Sequence, residues 1–272
     1  MGGALTQKKT AFIGAGFMGA AIVRGLLAAG VDPAQVSVYD PAEKAVQGLK
    51  PLGVTVAKSG ADAARGADII LLAVKPQIME KTLLKLKTSI GKKALVLSIA
   101  AGVTTASLQR WLPRGARVAR AMPNMAAALG QAATAICPGK AATAEDMSVA
   151  AAVFCAVGGV VEVDETLMDA VTGLSGSGPA YVFLFLEALI DAGVRSGLAR
   201  PVADKLARQT LFGAAKMAME GGEHPAMLKE RITSPGGTTI AALSCLEEDG
   251  FKGSVIRAVM AAVARSRELG GK

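Results

Sequence analysis

Three groups of residues in this chain have types and spacings that can do chemistry. The first is Gly14-Ala15-Gly16-Phe17-Met18-Gly19, a Gly-x-Gly-x-x-Gly run that follows the apolar stretch Thr10–Ile13 and opens the helix-forming stretch Met18–Ala29. After a strand and before a helix, each glycine has a task. Gly14 permits the tight turn, Gly16 lets backbone approach a pyrophosphate, and Gly19 lets helix and strand pack closely. The phosphates are expected on the helix N-terminus around Phe17 and Met18, where unpaired N–H groups and the helix dipole favour an anion.

The second group lies at the ends of the strands that follow. Asp40 closes the second strand about 20 residues beyond Gly19, where a carboxylate usually bonds the ribose hydroxyls of NAD and repels a 2′-phosphate. Asp40-Pro41-Ala42-Glu43 also reads as a helix start, with Asp40 as its cap and Lys44 one turn on. Both readings stand, so the cofactor is expected to be NADPH or NADH. The buried run from Asp68 ends at Ala73-Val74-Lys75-Pro76, at the rim where dinucleotides bind in such sheets. Lys75 reads either as a catalytic lysine or as a solvated strand end beside a phosphate. Ser98-Ile99-Ala100-Ala101-Gly102 offers small residues for the nicotinamide end to lie against. Asn124, after Arg120-Ala121-Met122-Pro123, is a candidate ligand for the carboxamide or a ribose, although Pro-Asn is also a common turn pair.

The third group is Thr233-Ser234-Pro235-Gly236-Gly237-Thr238-Thr239, a loop of glycines and hydroxyls before a helix whose apolar stripe is Ile240, Leu243 and Leu246. Backbone N–H groups and hydroxyls at a helix start suit a small carboxylate without an arginine. Ordinary N-capping by Thr238 or Thr239 is the competing reading. A second glycine-serine loop is expected at Thr172–Tyr181, walling the other side of a pocket. The single histidine, His224, lies in the loop-like run Gly221–Pro225, so a histidine general acid is not evident. Carbonyl reduction normally needs a strong proton donor near the oxygen. A protonated imine already carries the charge that attracts hydride, so hydroxyls and amides beside a nicotinamide suit a C=N bond better than a ketone.

These groups need elements to position them. The chain has 272 residues, 51% of them hydrophobic, enough for an ordered core in two domains. Only 4% are aromatic, so the core is aliphatic and base-stacking platforms lack material. Up to residue 163, short aliphatic runs alternate with helical stretches. Strands are expected at Thr10–Ile13, Val36–Tyr39, Val54–Ala57, Ile69–Val74, Ala94–Ile99, Arg117–Ala121, Thr134–Cys137 and Val160–Val163. The alternation predicts an α/β fold, an N-terminal Rossmann-type, doubly wound, mostly parallel sheet over residues 1–163. Helices are expected alone over 164–272, starting at Asp164–Thr172 and continuing through Pro179–Ser196, Pro201–Glu220 and Phe251–Leu269. The helix from Pro179 is apolar around most of its circumference, with Glu187 and Asp191 its main charges. It demands burial on more than one side, and a subunit interface is the expected means.

Cys137, Cys155 and Cys245 lie far apart, which fits reduced thiols and argues against a disulfide frame or a metal site. The Met1–Thr10 segment lacks an apolar stretch with a cleavage site, and no run reaches the roughly 18 apolar residues of a membrane span. A cytoplasmic, non-membrane protein is expected. The net charge of +8 is scattered, with only short groupings such as Lys8-Lys9 and Lys92-Lys93, so a field that draws in small anions is expected rather than a nucleic-acid partner.

Over nearly its whole length the sequence resembles pyrroline-5-carboxylate reductases. The resemblance rests on the glycine motif, Ala73-Val74-Lys75-Pro76-Gln77, Ser98–Thr104, Met122-Pro123-Asn124, Gly176–Tyr181 and above all Thr233–Thr239. It implies hydride transfer from NADPH or NADH to carbon 5 of a cyclic imine, giving L-proline, at a cleft between two domains. It also implies a substrate carboxylate held at Ser234, Gly236, Gly237, Thr238 and Thr239. Ser234 would be the main hydroxyl, and Thr239 the catalytic group near the ring nitrogen. A homodimer through the C-terminal helices, with assembly into larger rings, is implied as well. Met125 stands where many relatives carry Thr, and Asp40 where they carry a small neutral residue. Two other readings compete: a β-hydroxyacid-type dehydrogenase, which would carry a catalytic Lys on the helix after Gly176-Ser177-Gly178-Pro179, and a non-catalytic dinucleotide sensor, which has no need of the Ser234–Thr239 loop.

Overall fold

Strand positions follow the aliphatic runs. In the computed structural model, which describes Leu5 and residues 7 to 271, the first strand β1 (Thr10–Ile13) leads through the glycine loop into α1 (Phe17–Ala28). Then come β2 (Val36–Tyr39), α2 (Glu43–Gln47), β3 (Thr55–Val56), α3 (Gly60–Ala64), β4 (Ile69–Leu72), α4 (Pro76–Leu86), β5 (Leu95–Ser98) and α5 (Thr105–Trp111). The sheet is completed by β6 (Arg117–Met122), β7 (Ala132–Pro138), α6 (Ala144–Cys155) and β8 (Gly158–Glu162). Met1–Ala4 and Thr6 of the segment read for an export signal lie outside the described residues, as does Lys272.

The eight strands form one sheet in the order β3-β2-β1-β4-β5-β6-β7-β8. Neighbours are parallel except β6 and β7, which pair antiparallel. Every residue of β1, β4 and β5 is buried, as expected for strands covered on both faces. Their side chains alternate. Phe12, Ile69, Leu71, Leu95 and Leu97 join one apolar cluster with Ile22 and Leu26 of α1 and Val153 and Phe154 of α6. Ala11, Ile13, Ile70, Leu72 and Val96 join the other with Met79 and Leu83 of α4 and Leu108 of α5. Two dry layers on opposite faces make the sheet doubly wound.

Two stretches differ from the sequence reading. Helix α6 falls between two expected strands, in alanine-rich sequence without strong punctuation. Its signal was the capping box, in which the Thr143 hydroxyl and Asp146 carboxylate satisfy each other's backbone N–H groups. The stretch Thr172–Tyr181 is not a loop. A short turn at Glu165–Leu167 leads into α7 (Met168–Val171), a π-helical turn covers Thr172–Gly176, and α8 (Gly178–Arg195) follows. The hydroxyls of Thr172 and Ser175 donate to carbonyls four residues back, so these residues reinforce the helical path instead of leaving it. Ser177 N–H reaches Thr172 O, the five-residue bond of a π turn.

The remaining helices are α9 (Arg200–Gly221), α10 (Pro225–Arg231), α11 (Thr238–Glu248) and α12 (Phe251–Leu269). Residues up to Ser177, together with those from Ala261 onward, form one compact unit, and Gly178–Met260 form a second. In the second unit the only buried apolar residues, among those described, are Ala203 and Ala207. Leu184 and Phe212 are 69% and 63% exposed. The 31-residue helical run Glu165–Arg195 is long and apolar enough to cross a membrane by length and composition.

Candidate functional site

The three glycines of the first motif have different reasons to be glycine. Gly14 has φ +103°, and a Cβ there would lie 2.5 Å from the Ala73 carbonyl oxygen. Its N–H donates to Tyr39 O at 2.8 Å, tying the ends of β1 and β2 together. A Cβ on Gly19 would sit 2.4 Å from Gly14 O, so the close packing of α1 on the sheet depends on its absence. At Gly16, by contrast, a Cβ would meet nothing within 4 Å. This residue is the exposed N-cap of α1, and no side chain caps the helix. The protein itself thus requires Gly14 and Gly19. The bare surface at Gly16, beside the uncapped N–H groups of the first turn, fits a dinucleotide pyrophosphate.

Strand order reverses between β1 and β4, and their carboxyl ends open the crevice where doubly wound folds bind dinucleotides. Ala73 N–H donates to Ile13 O at 2.8 Å, Val74 is half-buried, and the exposed Lys75 is the N-cap of α4, with Pro76 in its first turn. A cavity of about 370 Å³ borders Gly14 and Val74 and is lined further by Tyr39, Ser59, Thr82 and Lys85. None of the last four was singled out from the sequence. Tyr39 ends β2, Ser59 caps α3, and Thr82 and Lys85 lie on α4, so three segments apart in the chain supply them.

Asp40 has a definite task. Its Oδ2 accepts the N–H of Ala15 in the glycine loop at 2.8 Å, and its Oδ1 accepts the N–H of Ala42 at 2.9 Å. It does not cap α2, whose N-cap is Ala42. Asp40 therefore braces two turns at once, the glycine loop and the turn after β2.

At the ends of β5 and β6 the small residues form a held loop. The buried Ser98 hydroxyl accepts Ala100 N–H at 3.3 Å, Ala101 is exposed, and Gly102 has φ +74°. Asn124 Nδ2 donates to Ser175 O in the π turn at 3.1 Å, and its Oδ1 accepts Ala126 N–H at 3.2 Å. Sequence reasoning missed a third feature. Glu165 accepts from the Thr105 N–H at 2.7 Å, the Thr105 hydroxyl at 2.6 Å and the buried Arg120 guanidinium at 2.8 Å. Burial works against its charge, yet these donors hold the Glu165 carboxyl below its usual range. Its partners lie 60 and 45 residues away in sequence, so no local motif announced it.

In the second unit the Thr233–Thr239 loop is a turn feeding α11. The Thr233 hydroxyl donates to Lys229 O at 2.7 Å, and Gly237 N–H donates to Ser234 O at 3.1 Å. Gly236 has φ +66°, and a Cβ on Gly237 would strike the Ser234 hydroxyl at 2.3 Å. The N-cap of α11 is Gly237, which offers no side chain. Thr238 and Thr239 lie inside the first turn, so neither is the cap, and their hydroxyls and N–H groups stand with that of Ser234 at an uncapped helix start. His224 is spent structurally: its Nδ1 accepts Ala226 N–H at 3.2 Å as the N-cap of α10. Cys137 is buried in β7, and burial pushes its thiol up to about 11, which leaves it inert. Among the described residues no cluster of three or more His, Cys, Asp or Glu side chains could hold a metal ion.

Comparison with known proteins agrees with both halves. Residues 165–269 match the family described as pyrroline-5-carboxylate reductase dimerisation, and residues 9–102 match NADP oxidoreductase, coenzyme F420-dependent. The chain is 48% identical to the pyrroline-5-carboxylate reductase of Methanosarcina acetivorans, over 98% of this chain and 100% of the relative. It is 45% identical to that of Pisum sativum, over 95% and 94%. Among solved structures it is similar to a pyrroline-5-carboxylate reductase from Coxiella burnetii, with TM-score 0.92 and 37% identity over 96% of this chain and 98% of the other. It is also similar to the Plasmodium falciparum pyrroline carboxylate reductase with NADP bound, with TM-score 0.87 and 33% identity over 98% and 99%.

Proposed function

This chain belongs to the pyrroline-5-carboxylate reductase family, and from that premise we propose how its residues divide the reaction. It is an NAD(P)H-dependent oxidoreductase that reduces the C=N bond of 1-pyrroline-5-carboxylate to L-proline, the last step of proline biosynthesis. Residues 1–163 bind the dinucleotide, and residues 164–272 bind the substrate and join subunits. The match of 165–269 to the dimerisation family supports the second assignment.

Gly16 and the N–H groups of Phe17 and Met18 would hold the pyrophosphate, with Gly14 and Gly19 shaping the turn. Ala73, Val74, Lys75 and Pro76 flank the cofactor along the rim, Ala101 lies on its nicotinamide side, and Asn124 uses its remaining amide hydrogen there. The cavity at Tyr39 would take the adenosine end. Because the Asp40 carboxylate is turned to the glycine loop, and the Ser59 hydroxyl is held by Asp62 as the cap of α3, Lys85 is left to meet a 2′-phosphate, which favours NADPH. The NADP-bound relative supports this choice.

Bound NADPH supplies a hydride to carbon 5 of the protonated imine. The protein holds the ring. The Ser234 hydroxyl and the N–H groups of Thr238 and Thr239 take the carboxylate, with Gly236 and Gly237 making the turn that presents them. The Thr239 hydroxyl orients the ring nitrogen and relays to it, from solvent water, the proton that makes the imine an iminium before hydride adds. The observation that carries this reading is the uncapped start of α11, where Gly237 supplies no side chain and two threonines fill the first turn without an acid. Fixed amides and hydroxyls supply orientation and charge stabilisation, the main demands of such a step.

Steady-state turnover with 1-pyrroline-5-carboxylate tests it. Thr239→Ala should lower kcat by about tenfold or more with NADPH affinity unchanged. Ser234→Ala should raise KM for the imine about tenfold. Wild-type values in both variants would remove the loop from the site.

The apolar run 165–195 faces another subunit and not a bilayer. Its place inside the matched dimerisation region supports this, as does the pairing of the half-buried Glu165 with the buried Arg120. Dimers assemble into rings, the enzyme works in the cytoplasm, and the +8 charge draws in an anionic cofactor and substrate, with no nucleic-acid partner.

A further inference from the structure

The loop between β5 and α5 carries Ala101 and is held from three directions. At its start the Ser98 hydroxyl accepts Ala100 N–H. In its middle Gly102, with φ +74°, lies beside Gly270 just beyond α12, where a Cβ on Gly102 would come into ordinary contact at 3.4 Å from Gly270 Cα. At its end Thr105, the first residue of α5, gives both its N–H and its hydroxyl to Glu165. Buried Arg120 neutralises that carboxylate at 2.8 Å, and the N-terminus of α5 adds a favourable dipole. Ala106 follows Thr105 without any such tie. A carboxylate that engages both donors of one residue sets that residue's position and orientation more tightly than a single bond would.

We propose that Glu165, acting through Thr105, is a positioning residue that sets where the Ile99–Thr105 loop presents Ala101 to the nicotinamide end of the cofactor. The proposal rests on the assignment of Ala101 to the cofactor site. It gives Glu165 a role in the hydride step without contact to substrate or cofactor. Displacing a reacting group by about 1 Å costs on the order of a hundredfold in rate, so a modest relaxation of this tie is measurable.

The test compares Glu165→Gln, Thr105→Val, their double variant and Ala101→Leu in the full-length enzyme. Readouts are kcat, KM for the imine, the Kd of NADPH by fluorescence, and thermal stability. The expected result is a loss in kcat of about tenfold and weaker NADPH binding in each of the first two variants, with KM for the imine little changed. The double variant should lose no more than the worse single one. Ala101→Leu should weaken NADPH binding. Lowered thermal stability alone, with kcat and Kd within about twofold of wild type, would overturn the positioning role, as would additive losses in the double variant. If Ala101→Leu leaves NADPH binding unchanged, the loop assignment itself is at fault. Should Glu165→Gln not fold, Thr105→Val decides, because it leaves the Arg120–Glu165 pair intact.

Discussion

The Asp40 carboxylate accepts the backbone N–H of Ala15 at 2.8 Å, joining the end of β2 to the loop that follows β1. In the reading proposed above, this bond holds the glycine loop in shape for a pyrophosphate. A hydrogen bond to a charged acceptor contributes roughly 1.5–3 kcal/mol, so its loss should be visible in cofactor affinity. Asp40→Ala is expected to raise the Kd of NADPH and NADH alike by about tenfold, leaving their ratio nearly unchanged. Titration of both cofactors checks it. A loss confined to NADH would make Asp40 a reader of the ribose instead.

Gly14 and Gly16 should respond oppositely to alanine. At Gly14 the new Cβ meets the Ala73 carbonyl at 2.5 Å with φ at +103°, so Gly14→Ala should destabilise the fold by about 1–3 kcal/mol. At Gly16 the Cβ enters open space, so Gly16→Ala should melt close to wild type while binding NADPH at least tenfold more weakly. Thermal melts beside cofactor titrations separate the two effects.

The second unit buries only Ala203 and Ala207 among its described apolar residues, and in the proposed dimer a second copy would cover Leu184 and Phe212. Sedimentation should therefore show a dimer at micromolar concentration, and the melting temperature should rise with protein concentration. Leu184→Asp is expected to shift the mass toward monomer and to lower stability. An unchanged dimer would place α8 outside the contact.

The Glu165 carboxyl is held below its ordinary value of 4.5 by Thr105 and Arg120. A depressed folded value means that its contribution to stability is present above the unfolded value. It is lost as pH falls through the lower, folded one. Glu165→Gln should therefore lose stability relative to wild type at neutral pH, with the gap narrowing in acid below about pH 4.5. Urea midpoints across that range measure it, and a gap that widens in acid would contradict the assignment.

Most of the framework was legible in the sequence because it rests on local rules. Strand alternation placed Phe12 and Ile69 on one face and Ala11 and Ile70 on the other. The spacing of Gly14, Gly16 and Gly19 identified the turn between β1 and α1, and the Thr233–Thr239 run identified the start of α11. Where local signals were ambiguous the reading slipped. Thr172–Gly176 has the composition of a loop, yet its hydroxyls bond back along the helix. Helix α6 was hidden because alanine-rich sequence lacks the strong period on which such readings rely.

By itself the sequence determined the doubly wound sheet, the glycine turn that opens α1 and the helical half, since each follows from the order of neighbouring residues and their periodicity. Only the tertiary structure decided the task of Asp40, the cavity at Tyr39, Ser59 and Lys85, and the tie from Glu165 to Thr105 and Arg120. Those relations join groups far apart in the chain, and the free energy that selects them comes from burial and the satisfaction of polar groups in three dimensions, which no local pattern encodes.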